Sequence, residues 1–438
     1  MTLRLAYYAD DFTGATDALE QLENAGVRTR LFLEPPSRKA LAATPEVEAI
    51  GVAGRSRSLP TAKIDAEARL ALRMLRELGA AHLHYKVCST FDSSPDTGSI
   101  GRIIDIAAEE FGGPFIPLVV AAPGLGPWCV FGNLFASYGI GADTPAYRLD
   151  THPTMSRHPV TPADEADLRR HLARQTNKEI ALVDIRTVEC GPEAVIAAVE
   201  RSYREEGAKI VLFDCLSNEN VATLGAVLEH YHASIRPLFS VGSSAIEAAL
   251  AAQWNLPANI APPITPSEPV LVLVGSCSPV TATQVDEARQ AGFSVVTIDV
   301  RRLIGGDELV VEEIAIQAGE ALARTSSVVV SSQGLTNEDI NLPAEQLGAA
   351  LAAVYRRVRE SSPLGLTILA GGDTSSYAAR SLRIESLDYH SPLTPGAPIC
   401  RATSADPLVD GGCFVFKGGQ VGRPDLFASL IPPAQAAT

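Results

Sequence analysis

The sequence predicts an α/β protein of two domains, each built on a mostly parallel sheet flanked by helices. Three observations predict it. Apolar runs bounded by Gly, Asp or Ser recur along the chain, most of them lead into a stretch with helical spacing, and one proline-rich segment divides the rhythm in two. Strand and helix in this alternation mean parallel strands joined by crossover helices, which cover both faces of the sheet.

The first apolar run, LRLAYYAD, precedes the helix-like FTGATDALEQLENAG. Its end is marked by Gly26, because glycine tolerates the left-handed backbone that closes a helix. VRTRLFL and EAIGVAG follow as strands. Ile64, Ala68, Ala71, Leu72, Leu75 and Leu78 then fall on one stripe, as a helix packed on a sheet requires. HLHYKVC, FIPLVVAAP, EIALVDI, KIVLFDC and RPLFSVG are further strands. From Gly124 to Pro162 the rhythm gives way to Gly, Pro and aromatic residues, a stretch that reads as a functional loop or as an interface arm. Asn255 to Pro269 (NLPANIAPPITPSEP) is stiffened by proline and offers few anchors for a core. It divides a domain at 1–254 from one at 270–431, with 255–269 as linker. In the second half VLVLVGS, SVVTIDV, SSVVVSS and LTILAGG are strands with helices between. APICRATS and CFVFKGG, with no helix between them, form a pair closing one side of that sheet.

Bulk properties exclude several classes. A chain of 438 residues exceeds one ordinary core, and its 20% charged and 46% hydrophobic residues are a globular balance. A net charge of -15 opposes nucleic acid or an anionic membrane as the main partner, since both require a broad basic face. No apolar run is long enough to span a bilayer, and two aspartates interrupt the start before a signal core develops. The seven cysteines are scattered and odd in number, which points to a reducing cytoplasm. An anionic small molecule remains a fitting partner where a few cations gather locally. A homo-oligomer is left open.

In doubly wound sheets ligands lie beyond the carboxyl ends of the strands, so the polar residues just after each strand carry the chemistry. The first strand ends in Asp10 and Asp11, then Thr13 and Gly14 at a helix start. Asp and Thr cap helices, but two adjacent carboxylates exceed what one cap needs. Arg55-Ser56-Arg57-Ser58 after the third strand is a cationic, hydroxyl-rich loop suited to gripping a carboxylate, and Lys86 holds the equivalent place after the next. His82 and His84 alternate along that strand and read as a buried core or interface pair, because no third ligand is spaced nearby for a metal. In the second half Gly275-Ser276 and Gly371-Gly372-Asp373-Thr374-Ser375 follow strands and open helices, where backbone N–H groups can hold phosphate oxygens. Lys417-Gly418-Gly419-Gln420-Val421-Gly422 is a third glycine-rich strand end. Three such turns in one domain favour a nucleotide. There is no P-loop, dinucleotide fingerprint or hydrolase elbow.

These residues together make the chain resemble the four-carbon acid sugar kinase family, once known only as a domain of unknown function. The resemblance runs over nearly the whole length. It includes Ala9-Asp10-Asp11-Phe12-Thr13-Gly14-Ala15, Ser56-Arg57, Lys86 with Ser89-Thr90, Gly242-Ser243-Ser244, Gly275-Ser276, Gly371 to Ser375 and the ending at 417–422. It implies an N-terminal domain that binds the acid sugar, a C-terminal domain that binds ATP with Mg2+, and reaction in the cleft between them. Asp10, Asp11, Arg55 with Arg57, and Lys86, Val87, Cys88 and Ser89 would face the sugar acid, with Asp10 and Asp11 as the catalytic pair. Ser276, Gly371, Gly372, Asp373, Thr374 and Gly418 would face ATP. Many members resemble Lys-x-Asp-Ser-Thr at the lysine loop, whereas Cys88 stands here at the aspartate's place. A thiol for an acceptor carboxylate changes how hydroxyls are held, and it points from threonate or erythronate towards a keto or branched acid such as 3-oxo-tetronate or 3-oxo-isoapionate. Two rivals share the cations: a non-catalytic two-lobed acid-ligand binding protein, and a nucleotide-independent aldolase or isomerase on sugar acids.

Overall fold

Uniformly apolar strands set the architecture. LAYYA at the start of one unit and VLVLV at the start of the other are buried at every residue, which only a sheet covered on both faces permits. The computed structural model describes residues 3–42, 44, 46–138, 144–158, 160–259, 261–264, 269–305, 307–325, 327–332 and 343–431. The chain divides into two units, Met1–Asn259 and Ile260–Thr438.

The first unit runs β1 (Leu5–Ala9), α1 (Phe12–Asn24), β2 (Thr29–Phe32), α2 (Arg38–Ala42), β3 (Ala49–Ala53), α3 (Thr61–Glu77), β4 (His82–Lys86), α4 (Ile100–Phe111), β5 (Ile116–Val119), β6 (Trp128–Val130), β7 (Asn133–Ser137), β8 (Ala146–Arg148), α5 (Leu168–Leu172), β9 (Ile180–Val183), α6 (Ile185–Val188), α7 (Pro192–Arg204), β10 (Ile210–Phe213), α8 (Asn218–His232), β11 (Leu238–Gly242) and α9 (Ala245–Trp254). Its main sheet has the order β2-β3-β1-β4-β11-β5-β10-β9, with every pairing parallel. From β1 the chain winds out to β2 and β3 on one side and then crosses to β4 on the other. The winding thus reverses at β1, and the crevice beyond its carboxyl end is where such sheets bind ligands. The register aligns Ala9 with Ala53 and with Lys86, so the ends of β3, β1 and β4 finish level.

The second unit runs β12 (Val270–Val274), α10 (Pro279–Gln290), β13 (Ser294–Thr297), α11 (Val300–Ile304), α12 (Glu308–Thr325), β14 (Ser327–Ser331), α13 (Ala344–Ser361), β15 (Leu366–Ala370), α14 (Gly372–Ser381), β16 (Ile384–Thr394), β17 (Ala397–Ser404) and β18 (Cys413–Lys417). Its strands are ordered β13-β14-β12-β15-β18-β17-β16. The first five are parallel, and β17 and β16 add antiparallel. Here the winding reverses at β12, between β14 and β15. Val270, Val272, Val274, Ile368 and Val415 pack with Val285 and Phe427 in one apolar core.

Two elements differ from the sequence reading. The closing side of the second sheet has three strands: β16, eleven residues long, pairs with β17, and β18 lies inside against β15. The irregular stretch after Gly124 holds a small antiparallel sheet, β6-β7-β8, although 139–143 and 159 lie outside the described residues. The stripe from Ile64 to Leu75 is buried on α3. Gly26 takes a left-handed φ of 83° after α1 and donates its N–H to Glu23.

Candidate active site

At the first switch point three turns are stitched together by backbone hydrogen bonds. Asp10 N–H donates to Lys86 O at 2.8 Å, and Arg57 N–H donates to Asp10 O at 3.1 Å. The adjacent carboxylates then divide their tasks. Asp11 is the N-cap of α1, accepting from Gly14 N at 2.7 Å, and its other oxygen takes Arg57 Nη2 at 2.5 Å. Asp10 is not needed as a cap. One of its oxygens accepts from Cys88 N at 3.3 Å, and the other, Oδ1, is buried without a hydrogen-bond partner among the described residues.

Burial and the charge of Asp11 raise the Asp10 pKa to about 7, although Arg57 and Lys86 pull the other way. A carboxyl group at this value can take and release a proton at neutral pH. Lys86 is buried too, with Nζ 3.4 Å from Asp17 and donating to Val87 O at 3.2 Å. Burial disfavours its charge, but Asp17 and the neighbouring acids raise its pKa on balance, so it remains an ammonium. A methyl group on Gly14 would lie 2.6 Å from Asp11 Oδ1, 3.3 Å from Lys86 Nζ and 3.6 Å from Asp10 Oδ1. Both carboxylates and the ammonium therefore converge over the bare first turn of α1.

The predicted residues do not all gather here. Arg57 does; Arg55 pairs instead with Glu67 at 2.8 Å on the exposed side of α3. Val87 is fully buried and ties to β11 through Gly242 O. Ser89 is half-buried in the same turn. The Cys88 thiol lies 3.0 Å from Thr90 Oγ1, which itself donates to Asp92 at 2.8 Å, so the S–H is the donor of that pair. Burial and Asp92 push the thiol up to about 12, leaving it neutral and unsuited to nucleophilic attack. His82 and His84 are both buried core histidines, on Glu229 at 3.1 Å and Ser240 O at 3.2 Å.

At the second switch point, the turns after β12, β15 and β18 meet. Gly371 sits at φ 134°, a backbone few side chains adopt, and a methyl there would press within 3.2 Å of Gly275 C. Thr374 Oγ1 lies 3.4 Å from Gly275 O, Gly371 N–H donates to Lys417 O, and a methyl on Gly419 would meet Ser276 Oγ at 2.7 Å. Gly372, Asp373 and Thr374 form the first turn of α14, whose N–H groups face the same edge, and Gly418 follows β18. The turns thus form a backbone-lined cradle that side chains would fill, which suits polyphosphate oxygens. Beneath it Lys417 is fully buried, donating to Thr281 Oγ1 at 3.1 Å and Gly418 O at 2.9 Å, and burial lowers its pKa to about 7.

Sequence reading missed two groups, Asp17 and Glu247, and named Lys417 only as the opening of a glycine-rich strand end. A signal existed for Glu247, since AIEAALAA at the start of α9 is apolar all round apart from this one acid.

Comparisons with known proteins agree with this division. Residues 5–250 match the family described as a sugar-binding N-terminal domain, and residues 271–427 match a nucleotide-binding C-terminal domain. A 3-oxo-isoapionate kinase of Paraburkholderia graminis is 42% identical, the alignment covering 98% of this chain and 94% of that one. A 3-oxo-tetronate kinase of Methylobacterium radiotolerans is 32% identical over 98% and 99% of the two chains. The crystal structure of Haemophilus influenzae protein HI1011, of the DUF1537 family, shares the fold with a TM-score of 0.71 at 24% identity, over 97% of this chain and 98% of that one.

Proposed function

The chain belongs to the four-carbon acid sugar kinase family, and on that premise we propose that it phosphorylates a hydroxyl of 3-oxo-isoapionate or a closely similar 3-oxo acid sugar. It is a sugar-acid kinase that uses ATP. One observation carries the reaction class: one switch point gathers cations with a carboxyl group poised near neutrality, and the other gathers bare backbone turns. The choice of acid follows the 42% likeness to a 3-oxo-isoapionate kinase and the neutral Cys88 thiol at the lysine turn.

In this reading Arg57 and Lys86 hold the substrate carboxylate, and Asp11 keeps Arg57 in place. Asp10 accepts the proton of the attacking hydroxyl as its oxygen bonds to the γ-phosphorus. The bridging oxygen leaves with its bonding pair as part of ADP. N–H groups around Ser276, Gly372 and Gly418 take the charge of the transferring phosphoryl group. Mg2+ arriving with ATP usually keeps several waters and takes one or two carboxylates besides the phosphates. Asp373, in the first turn of α14, would be the carboxylate to hold the ion, which would neutralise triphosphate charge there.

Two measurements test the reading. ADP release should rise with 3-oxo-isoapionate above every other four- and five-carbon acid sugar tried. A binding protein, aldolase or isomerase would show no acid-dependent ADP at all. Arg57→Met should raise KM for the acid by roughly tenfold to a hundredfold, the range for a charge-assisted pair of about 1.5–3 kcal/mol. Arg55→Met, which breaks an exposed pair, should change KM by less than about fivefold; equal effects in the two variants would remove Arg57 from the carboxylate site.

A further inference from the structure

His84 and Lys86 alternate on β4, so they project from the same face of the sheet. Helices α1 and α9 pack on one another there, and each contributes one acid, Asp17 and Glu247. The acids differ in their partners. Asp17 reaches the Lys86 ammonium at 3.4 Å. Glu247 is 0% exposed, and neither carboxyl oxygen has a hydrogen-bond partner among the described residues. Its nearest basic atom is His84 Nε2 at 3.6 Å, and that imidazole directs Nδ1 to Ser240 O at 3.2 Å.

A carboxylate sealed from water without a donor is far costlier than the neutral acid, so Glu247 keeps its proton at neutral pH. Burial raises its pKa to about 8 against the pull of Lys86, and Asp17 pushes it further up. His84 is driven down to about 3 by burial and by Lys86, and stays uncharged. Among the described residues, Lys86 and His84 from β4 and Asp17 from α1 are the titratable groups that face Glu247.

We propose that Glu247 is a positioning residue that acts through Lys86: as a neutral acid it leaves Asp17 the ammonium's partner on the sealed side, so the ammonium's remaining field serves the sugar-acid carboxylate. The proposal rests on the reading that Lys86 faces that carboxylate. Ionising Glu247 adds to the negative charge that already acts on the ammonium from Asp17 and Asp10, and the substrate must then compete with it. The affected quantity is affinity for the acid sugar, whereas proton removal by Asp10 governs turnover.

The test is the KM for the acid sugar from about pH 6.5 to 9.5, the window around the Glu247 titration. Wild-type KM should rise roughly threefold to tenfold above pH 8, with a smaller change in kcat. Glu247→Gln should abolish that rise, and it should rescue the higher KM that Glu247→Ala shows at pH 7. A rise that persists in Glu247→Gln, or a flat wild-type profile, overturns the proposal. Infrared difference spectra supply a readout independent of turnover. Wild type at pH 7 should show a protonated-carboxyl stretch that bleaches as the pH passes about 8 and is missing in Glu247→Gln. Its absence in wild type also overturns the proposal, even should no acid sugar support ADP release, a result that would count against the kinase reading separately.

Discussion

Asp10→Asn is expected to lower kcat on the acid sugar by roughly 10²- to 10⁴-fold, the span of general-base catalysis, with ATP affinity changed by less than about twofold. The variant keeps the size and planarity of the side chain and can still accept from Cys88 N–H, but it cannot take a proton. Asp11 still caps α1 and still pairs with Arg57, so the loss isolates the base. Wild-type kcat should climb with pH and level off above about 7, as burial and the Asp11 charge set the Asp10 titration.

Stability should move the opposite way. The Asp10 pKa is raised in the folded state, from 3.8 to about 7, so between these values the native protein holds a proton that the unfolded chain has released. Its contribution therefore falls as pH rises, by about 1.4 kcal/mol per unit at most, and is lowest above pH 7. Asparagine does not titrate. The thermal midpoint of Asp10→Asn should gain on wild type from pH 4 to 7 and hold the gain beyond. A variant that lost both turnover and stability would mark Asp10 as a structural residue; normal turnover would remove it from the chemistry.

The fold was legible wherever strands are buried on both faces. Such strands tend to be apolar runs, and β1 and β12 stand out as five residues apolar throughout. β16 was not legible. IESLDYHSPLT mixes acids, a histidine and a proline, and its pairing with β17 shifts register three times, so no alternation survives to be read. β6, β7 and β8 are three to five residues each, too short for a period amid glycine and proline.

The site was legible as an excess of chemistry at strand ends, not as a division of labour. That two carboxylates exceed one cap could be read from order alone; which one caps required the Gly14 N–H contact. Arg55 and Arg57 are two residues apart, and only the 3-10 turn at 56–58 sends one to Asp11 and the other to Glu67. Asp17 lay out of reach for a physical reason: its tie to Lys86 appears only once that lysine has been placed by another strand. Glu247 stood out as the one acid of an apolar helix, but what it faces did not.

Gly371→Ala is expected to raise the KM for ATP by roughly fivefold to 150-fold and to leave the KM for the acid sugar unchanged. Two costs combine. The φ of 134° and ψ of 119° belong to glycine's range, and holding a residue with a Cβ there costs about 1–3 kcal/mol. The new methyl would also lie 3.2 Å from Gly275 C, 3.3 Å from its O and 3.4 Å from Ser276 N, so the turn after β12 must give way by a few tenths of an ångström. If these turns hold the triphosphate together, relaxing either displaces donors that bind it. Gly411→Ala is the control: its φ of 73° is also positive, but a methyl there meets nothing within 4 Å. It should lower the thermal midpoint without moving the KM for ATP. Parallel losses of stability with a wild-type KM for ATP in both variants would mean that strain at Gly371 matters only to folding, and that the nucleotide lies elsewhere.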